Sequence, residues 1–447
     1  MKIIIAGAGA VGTHLAKLLS REHHDITLID EDANRLHGPA SNLDLLTLQA
    51  SPLSIQGLRE AEVGKADLFI SVTPDEAHNM TACMLAAKIG AKRTVARVEN
   101  YEYTLPDSRE FFKSVGISSI IYPEMLVGEE IMRTVRRSWT RQWIEVQGGA
   151  LLVIGVKVRN GSKILNIPLK ELSTPDSPFH IVAIKRQNST IIPHGDDCLL
   201  SRDVVYFMTT PKYVDYIQEL SDKGDYPDVK NIVFLGGGST TERALAKMPE
   251  GIHAKVFETD PARIAHLDSV VDGKNVIYIN ADGRDMELLL EEGIQKAHAF
   301  VATTSNSETN ILSCLTAKRF GVRKTVAMIE NLDYVSMAES LDIGTILNKK
   351  TFAASHIYQM MLKADVTTVK NLTVANADVA EIVVKEGSKA TRQAVKDLGL
   401  PQTVTLGGLV RGGKGQLING LTQLQAGDTV VAFCIENSLK RLERFFN

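Results

Sequence analysis

Cysteine is scarce in this chain. Cys83, Cys198, Cys314 and Cys434 lie far apart and none forms a CxxC pair, which excludes a thiolate metal ribbon and a disulfide framework. An excess of one charge is also missing. Fifty Lys+Arg against 53 Asp+Glu leave a net charge of −3 over 447 residues. So balanced a chain has no built-in attraction for nucleic acid, and no nucleic-acid partner is expected. Long apolar runs are lacking as well. Stretches such as Ala150–Val156 fall far short of the roughly 18 residues a membrane-spanning helix needs. HExxH, EF-hand, GxSxG and P-loop lysine patterns are absent, so neither a metal site nor a catalytic residue is predicted. Met1-Lys2 leads straight into Ile3-Ile4-Ile5 without a secretory h-region, and with scattered thiols this predicts a cytoplasmic location.

What the chain does have is a long internal repeat. Residues 83–103 read CMLAAKIGAKRTVARVENYEY and residues 314–334 read CLTAKRFGVRKTVAMIENLDY, with nine of 21 positions identical. Thr73 meets Thr304 and Asn79 meets Asn310 at the same offset of 231. A period this long marks a duplicated set of domains rather than a solenoid.

Each copy begins with short apolar runs separated by helix-length segments. In the first copy these are Lys2–Ala6, Ile26–Ile29, Leu45–Leu48, Leu68–Val72, Thr94–Val98 and Ile117–Ile121. In the second they are Ile232–Leu235, Val256–Phe257, Val276–Ile279, Ala299–Ala302, Thr325–Ile329 and Thr345–Leu347. Such runs, buried on both faces, predict a parallel sheet of βαβ units. Each copy ends in alternating strand patterns with turn signals at Asn160-Gly161, Gln187-Asn188-Ser189 and Arg411-Gly412-Gly413. The expected class is α/β: two Rossmann-like parallel-sheet domains, each followed by a small α+β domain. The expected boundaries are 1–138, 139–220, 229–363 and 364–447, with the polar stretch Ser221–Asp228 as the linker. Pro123–Trp139 is expected to be a connecting helix. His23-His24, with no partner at ligand spacing, reads as solvated loop.

Gly7-Ala8-Gly9-Ala10-Val11-Gly12 follows a strand and opens a helix, and Asp30 ends the second strand 18 residues after Gly12. This is the context of a dinucleotide site. Gly7 permits the tight turn, Gly9 lets backbone approach a pyrophosphate, and Gly12 lets helix and strand pack. Asp30 can accept from both ribose hydroxyls, favouring NAD or an adenine nucleotide over NADP. In the second copy Gly236-Gly237-Gly238-Ser239-Thr240-Thr241 keeps the first two glycines and places Thr241 at the third. Thr241 should displace the helix slightly or find a hydroxyl partner. Glu258 supplies the acid. Thr73 and Thr304 end the fourth strands, and Glu99 and Glu330 follow the fifth. Arg97 is a cation for phosphate or one half of a surface salt bridge; Met328 replaces it in the second copy. Cys83 and Cys314 read as small packing residues.

The duplicated order and the stretches KIIIAGAGAVGTHLAKLL, LREAEVGKADLFISVTPDEAHNMTAC, IIYPEMLV, NIVFLGGG and LGGLVRGGKGQLINGLTQLQAGDTVV cover essentially the whole chain. With them the sequence resembles the TrkA family, the nucleotide-binding regulatory subunits of Trk-type potassium uptake systems. The resemblance implies tandem RCK units. It implies a homo-oligomer, a tetrameric ring built as a dimer of dimers, peripheral on the inner face of the cell membrane. It implies an integral potassium-translocating partner of the TrkH/TrkG kind, gated as NAD(H), ATP or ADP changes the ring. By position it carries over Gly7, Gly9, Val11, Gly12, Asp30, Thr73, Arg97 and Glu99, and Gly236, Gly238, Ser239, Thr240, Glu258 and Thr304. The alternative is an NAD-dependent oxidoreductase with an unidentified substrate. Against it stands the lack of a clustered proton-donor set in the small domains, so a non-enzymatic role is expected.

Overall fold

Three consecutive isoleucines after Lys2 favour an extended chain buried on both faces, and they form the centre of a sheet. The structure, a computed structural model, describes residues 1–20, 24–187, 189–362, 368–371 and 377–435, with positions 438, 442, 445 and 446. His23 and Asn188 lie outside the described residues.

The first sheet comprises β1 (Lys2–Ala6), β2 (Asp25–Asp30), β3 (Leu46–Gln49), β4 (Leu68–Ser71), β5 (Thr94–Arg97) and β6 (Ser119–Ile121), in the order β3-β2-β1-β4-β5-β6. All five neighbouring pairs are parallel. Strand order reverses beside β1, so the crevice at the carboxyl ends of β1 and β4 is the topological switch point. The core has Ile4, Phe69 and Val98 fully buried, and the helix Glu76–Ile89 lays Ala82, Cys83 and Ala86 against it. Cys83 is a packing residue whose thiol burial pushes well up in pKa.

A second sheet follows: β7 (Gln142–Val146), β8 (Leu151–Lys157), β9 (Phe179–Arg186), β10 (Ser189–Ile191) and β11 (Val204–Thr209), ordered β10-β9-β11-β8-β7 and antiparallel throughout. The third sheet repeats the first: β12 (Asn231–Leu235), β13 (His253–Glu258), β14 (Asn275–Asn280), β15 (Ala299–Ala302), β16 (Lys324–Met328) and β17 (Thr345–Leu347), ordered β14-β13-β12-β15-β16-β17. The fourth repeats the second: β18 (Thr368–Asn371), β19 (Asp378–Val383), β20 (Val404–Arg411), β21 (Lys414–Leu417) and β22 (Thr429–Cys434), ordered β18-β19-β22-β20-β21.

The small sheets repeat in detail. Both carry a register shift, at Tyr206/Phe207 and at Leu406/Gly408. In both, an arginine before a tight hairpin turn reaches a buried aspartate 17 residues on. Arg186 Nη2 is 2.8 Å from Asp203 Oδ2, and Arg411 Nη2 is 2.6 Å from Asp428 Oδ2. The residue before each aspartate has a positive φ, +72° at Arg202 and +88° at Gly427. The first copy thus holds without glycine the turn that glycine makes in the second.

Chain contacts divide the molecule into two compact units: residues 1–129 with 347–361, and residues 130–346 with 362–447. In the first unit the helix Lys349–Leu362 adds Lys349, which reaches Glu124 at 3.3 Å. In the second unit the two small sheets share one core, in which Val182, Tyr206 and Met208 join Val379, Val410 and Phe433. The connecting helix spans Pro123–Val135, shorter than the sequence pattern suggests. Past its end Arg137 stacks on Trp143, 3.5 Å from the ring centroid, and Ser138 donates to the Pro227 carbonyl. These contacts draw residues 136–139 away from helical geometry.

Candidate functional site

The first glycine loop turns at Gly7, whose φ is +104° and whose N–H donates to the Ile29 carbonyl at 2.8 Å. A Cβ at Gly7 would meet Thr73 N at 3.0 Å, and one at Gly12 would lie 1.8 Å from the Gly7 carbonyl oxygen. Both positions therefore exclude a side chain. Gly9 differs: a Cβ there meets nothing within 4 Å, so the backbone faces open space. The helix Ala10–Ser20 starts at this point, with Val11 and Gly12 buried in its first turn. Its leading N–H groups give the crevice a positive end.

Asp30 ends β2 with only 7 % of its surface exposed. Its Oδ2 accepts from Ala8 N at 2.7 Å and its Oδ1 from Asp32 N at 2.9 Å. The carboxylate is thereby locked against the loop, and each oxygen keeps a further lone pair for a ribose hydroxyl. Arg35 lies 3.8 Å from the same carboxylate.

Thr73 is joined to the other side of the crevice through Asn79. The Asn79 Oδ1 accepts from Thr73 N at 2.8 Å, Thr73 Oγ1 at 2.8 Å and Ser71 Oγ at 2.9 Å. Its Nδ2 donates to the Thr73 and Arg97 carbonyls at 3.0 and 2.9 Å. One buried amide thus ties the ends of β4 and β5 together. The Arg97 guanidinium pairs with Glu99 at 2.8 Å, while its Nε is buried without a hydrogen-bond partner. Glu99 itself is exposed. An anion in the crevice would satisfy that Nε.

The second copy keeps the plan and changes the filling. Gly236 has φ +97° and donates to Phe257 O. A Cβ at Gly238 meets nothing within 4 Å. Glu258 Oε2 accepts from Gly237 N at 2.7 Å, and its Oε1 accepts from Thr259 and Asp260 N–H groups. Burial works to raise the Glu258 pKa, yet these three backbone donors outweigh it and hold the carboxyl below its ordinary value. Thr241 does find a hydroxyl partner: its Oγ1 donates to Gly236 O at 2.6 Å and lies 2.7 Å from Thr303 Oγ1. Asn310 repeats Asn79, bonding Thr304 and the Met328 carbonyl. Thr240 Oγ1 sits 3.9 Å from Met328 Sδ. Ser239 opens the helix Ser239–Ala246.

One feature of the second loop has no signal in the sequence. Arg263, on the helix after β13, donates from Nε to the Gly237 carbonyl at 2.6 Å and from Nη2 to Glu242 at 2.5 Å. Glu242 also pairs with Arg243 and, at 3.2 Å, with His266. Burial pushes the Glu242 pKa up, and the two arginines more than reverse it. A guanidinium therefore rests on the second glycine loop, pinned by a carboxylate. The Asn79 role had a signal, its match to Asn310, but no spacing reveals which strand ends an amide will join.

Two Rossmann-like domains, each followed in sequence by a small antiparallel sheet, define the tandem RCK fold. A chain of known structure described as "GsuK channel bound to NAD" superposes with a TM-score of 0.60 at 14 % identity, covering 100 % of this chain and 78 % of that one. The family model for the TrkA-N domain matches residues 3–123 and 232–349, and that for the TrkA-C domain matches 153–222 and 379–447. The Trk system potassium uptake protein TrkA of Halomonas elongata is 30 % identical over 453 residues, covering 100 % of this chain and 98 % of its own. The TrkA homolog of Archaeoglobus fulgidus is 28 % identical over 451 residues, with both chains covered completely. This chain belongs to the TrkA family. Among the described residues no helix is long and apolar enough to cross a membrane.

Proposed function

We propose that this chain is the nucleotide-responsive regulatory subunit of a potassium uptake system, working on the cytoplasmic face of a membrane-embedded potassium-translocating partner. The observation that carries the reading is the paired loop geometry. Ala8 N on Asp30 and Gly237 N on Glu258, both at 2.7 Å, shape two crevices of one design in one TrkA-family chain. Gly7, Gly9, Val11, Gly12, Asp30, Thr73, Arg97 and Glu99 would hold a nucleotide in the first. Gly236, Gly238, Ser239, Thr240, Glu258 and Thr304 would hold one in the second. NAD(H), ATP and ADP are the ligands the crevices suit, because each carboxylate is poised for ribose hydroxyls and each helix start for phosphates. The NAD bound to the GsuK channel supports the same choice. The domain limits 1–138, 139–220, 229–363 and 364–447 are part of the proposal.

Gating requires that nucleotide bind one shape of a homo-oligomeric ring better than another, and the switch moves only by that difference. A few added hydrogen bonds suffice, since couplings are typically about 1–3 kcal/mol. Two binding folds without a paired substrate domain suit a sensor rather than a dehydrogenase. Calorimetric titration of the full chain with NADH, ATP and ADP, with light scattering alongside, tests the reading. Binding with a ligand-dependent change of assembly is expected. Tight NADH binding with no change, followed by turnover with a hydroxy acid, would overturn it in favour of an oxidoreductase.

A further inference from the structure

The two glycine loops hold one matching carbonyl in different ways. In the first, Thr13 sits five residues past Ala8 and its Oγ1 donates to the Ala8 carbonyl at 3.1 Å. In the second, Gly237 takes the place of Ala8 and Glu242 that of Thr13. A carboxylate has no proton to give a carbonyl. Instead Glu242 accepts from Arg263 Nη2 at 2.5 Å, and Arg263 Nε donates to the Gly237 carbonyl at 2.6 Å. A neutral hydroxyl on the loop's own helix is thus replaced by a charged donor from the next helix, Pro261–Val270.

The arginine itself is common to both copies. Arg35 follows Asp30 by five residues, as Arg263 follows Glu258. Arg35, half-exposed, lies 3.8 Å from Asp30 and 3.6 Å from Asp32 and donates to no loop carbonyl among the described residues. What differs is Glu242. It is only 8 % exposed, it draws Arg263 onto the loop, and Arg243 and His266 hold it from its other sides.

The consequence falls on the next amide. In a trans peptide the C=O and N–H lie in one plane and point opposite ways. Tying the Gly237 carbonyl to Arg263 therefore fixes the direction of the Gly238 N–H. That N–H donates to no group among the described residues, and a Cβ at Gly238 would meet nothing within 4 Å. A cation on the carbonyl also polarises the peptide and strengthens its N–H as a donor.

We propose that Arg263 is a positioning residue of the second crevice: held by Glu242, it aims the Gly238 N–H at a phosphate of the bound nucleotide. This role rests on the reading of the second crevice as a nucleotide site. It makes phosphate, rather than base or ribose, the part of the ligand that Arg263 governs, although the guanidinium itself faces the loop.

Calorimetric titration of the full chain carrying Asp30→Asn, which weakens the first crevice, tests the role. ADP is titrated directly and adenosine by competition with ADP. Adding Arg263→Gln should weaken ADP about tenfold, the loss of one charged hydrogen bond, and leave adenosine unchanged. Glu242→Gln should weaken ADP in the same direction, and combining the two should cost nothing further, because Glu242 acts through Arg263. ADP affinity indifferent to Arg263→Gln would overturn the role while leaving the crevice a nucleotide site. ADP and adenosine falling together would overturn it too, since a merely structural arginine does that. Full additivity of the two substitutions would also overturn it. No ADP binding before either substitution would overturn both the role and the reading of the second crevice.

Discussion

The side-chain oxygen of Asn79 accepts hydrogen bonds from both the backbone N–H and the hydroxyl of Thr73, each at 2.8 Å. Its amino group returns a bond to the Thr73 carbonyl. Thr73 is thus held at the crevice by a residue that never faces it. Asn79→Ala should leave the Arg97 carbonyl and Thr73 N–H short of partners. Such buried unpaired groups cost about 1–3 kcal/mol each. A lower Tm together with weaker nucleotide binding in the first crevice is expected. Asn79→Asp should rescue the acceptor bonds but not the donor bonds, giving an intermediate Tm.

Asp30→Asn keeps one acceptor for Ala8 N while removing the charge that we propose takes ribose hydroxyls. Nucleotide affinity at the first crevice should fall about tenfold or more, the worth of a charged hydrogen bond. Calorimetry on the full chain measures this, with circular dichroism expected to show the native fold. Unchanged affinity would remove Asp30 from the site.

Gly9 and Gly12 should respond oppositely to alanine. A Cβ at Gly12 would lie 1.8 Å from the Gly7 carbonyl oxygen, so Gly12→Ala must push the helix Ala10–Ser20 off the sheet, at about 1–3 kcal/mol or more for overpacking. Gly9→Ala meets only open space and should leave Tm unchanged while obstructing a ligand at the loop. Thermal melts and titrations of the two variants check the pair of outcomes.

Lys324 begins β16 only 2 % exposed, and its Nζ donates to the Thr140 carbonyl at 2.6 Å. Burial, then the neighbouring Arg141, pushes its pKa down to about 7, against partial support from Glu130. The unfolded chain therefore holds this proton up to the ordinary lysine range, while the folded chain releases it near 7. Stability should rise as pH climbs from about 7 toward 10.5 and stay level in this contribution below 7. Lys324→Met should raise Tm at neutral pH and flatten that slope. Melts between pH 6 and 10, at roughly constant ionic strength, decide it.

Much of the architecture was legible because the parallel sheets announce themselves. Ile3–Ile5 and Phe300–Ala302 are uninterrupted apolar runs, and only a strand buried on both faces needs them. The glycine loop was legible for the same local reason, since turn, approach and packing act within six residues. Lys324 was not. Its neighbour Thr140 is 184 residues away, so nothing in its own segment shows that a lysine opens a buried strand. Arg263 was equally hidden, because its partner Glu242 lies on another helix, 21 residues away. The end of the connecting helix at Val135 was misplaced since Trp139 continues the apolar spacing. Only the Arg137–Trp143 stack and the Ser138 bond to Pro227 show why the spacing is not used.

The two small sheets bury Val182, Met208, Val379 and Phe433 in one core, and residues 347–361 belong with the first 129. The repeat in the sequence is therefore not a seam in the molecule. A gene cut at codons 221–228 would encode two fragments, each with a naked apolar sheet face, and the first without a helix it borrows from the second. Those fragments would be obligate partners. Fusion into one polypeptide has made their encounter independent of concentration, and a lesion in either small sheet is inherited by both.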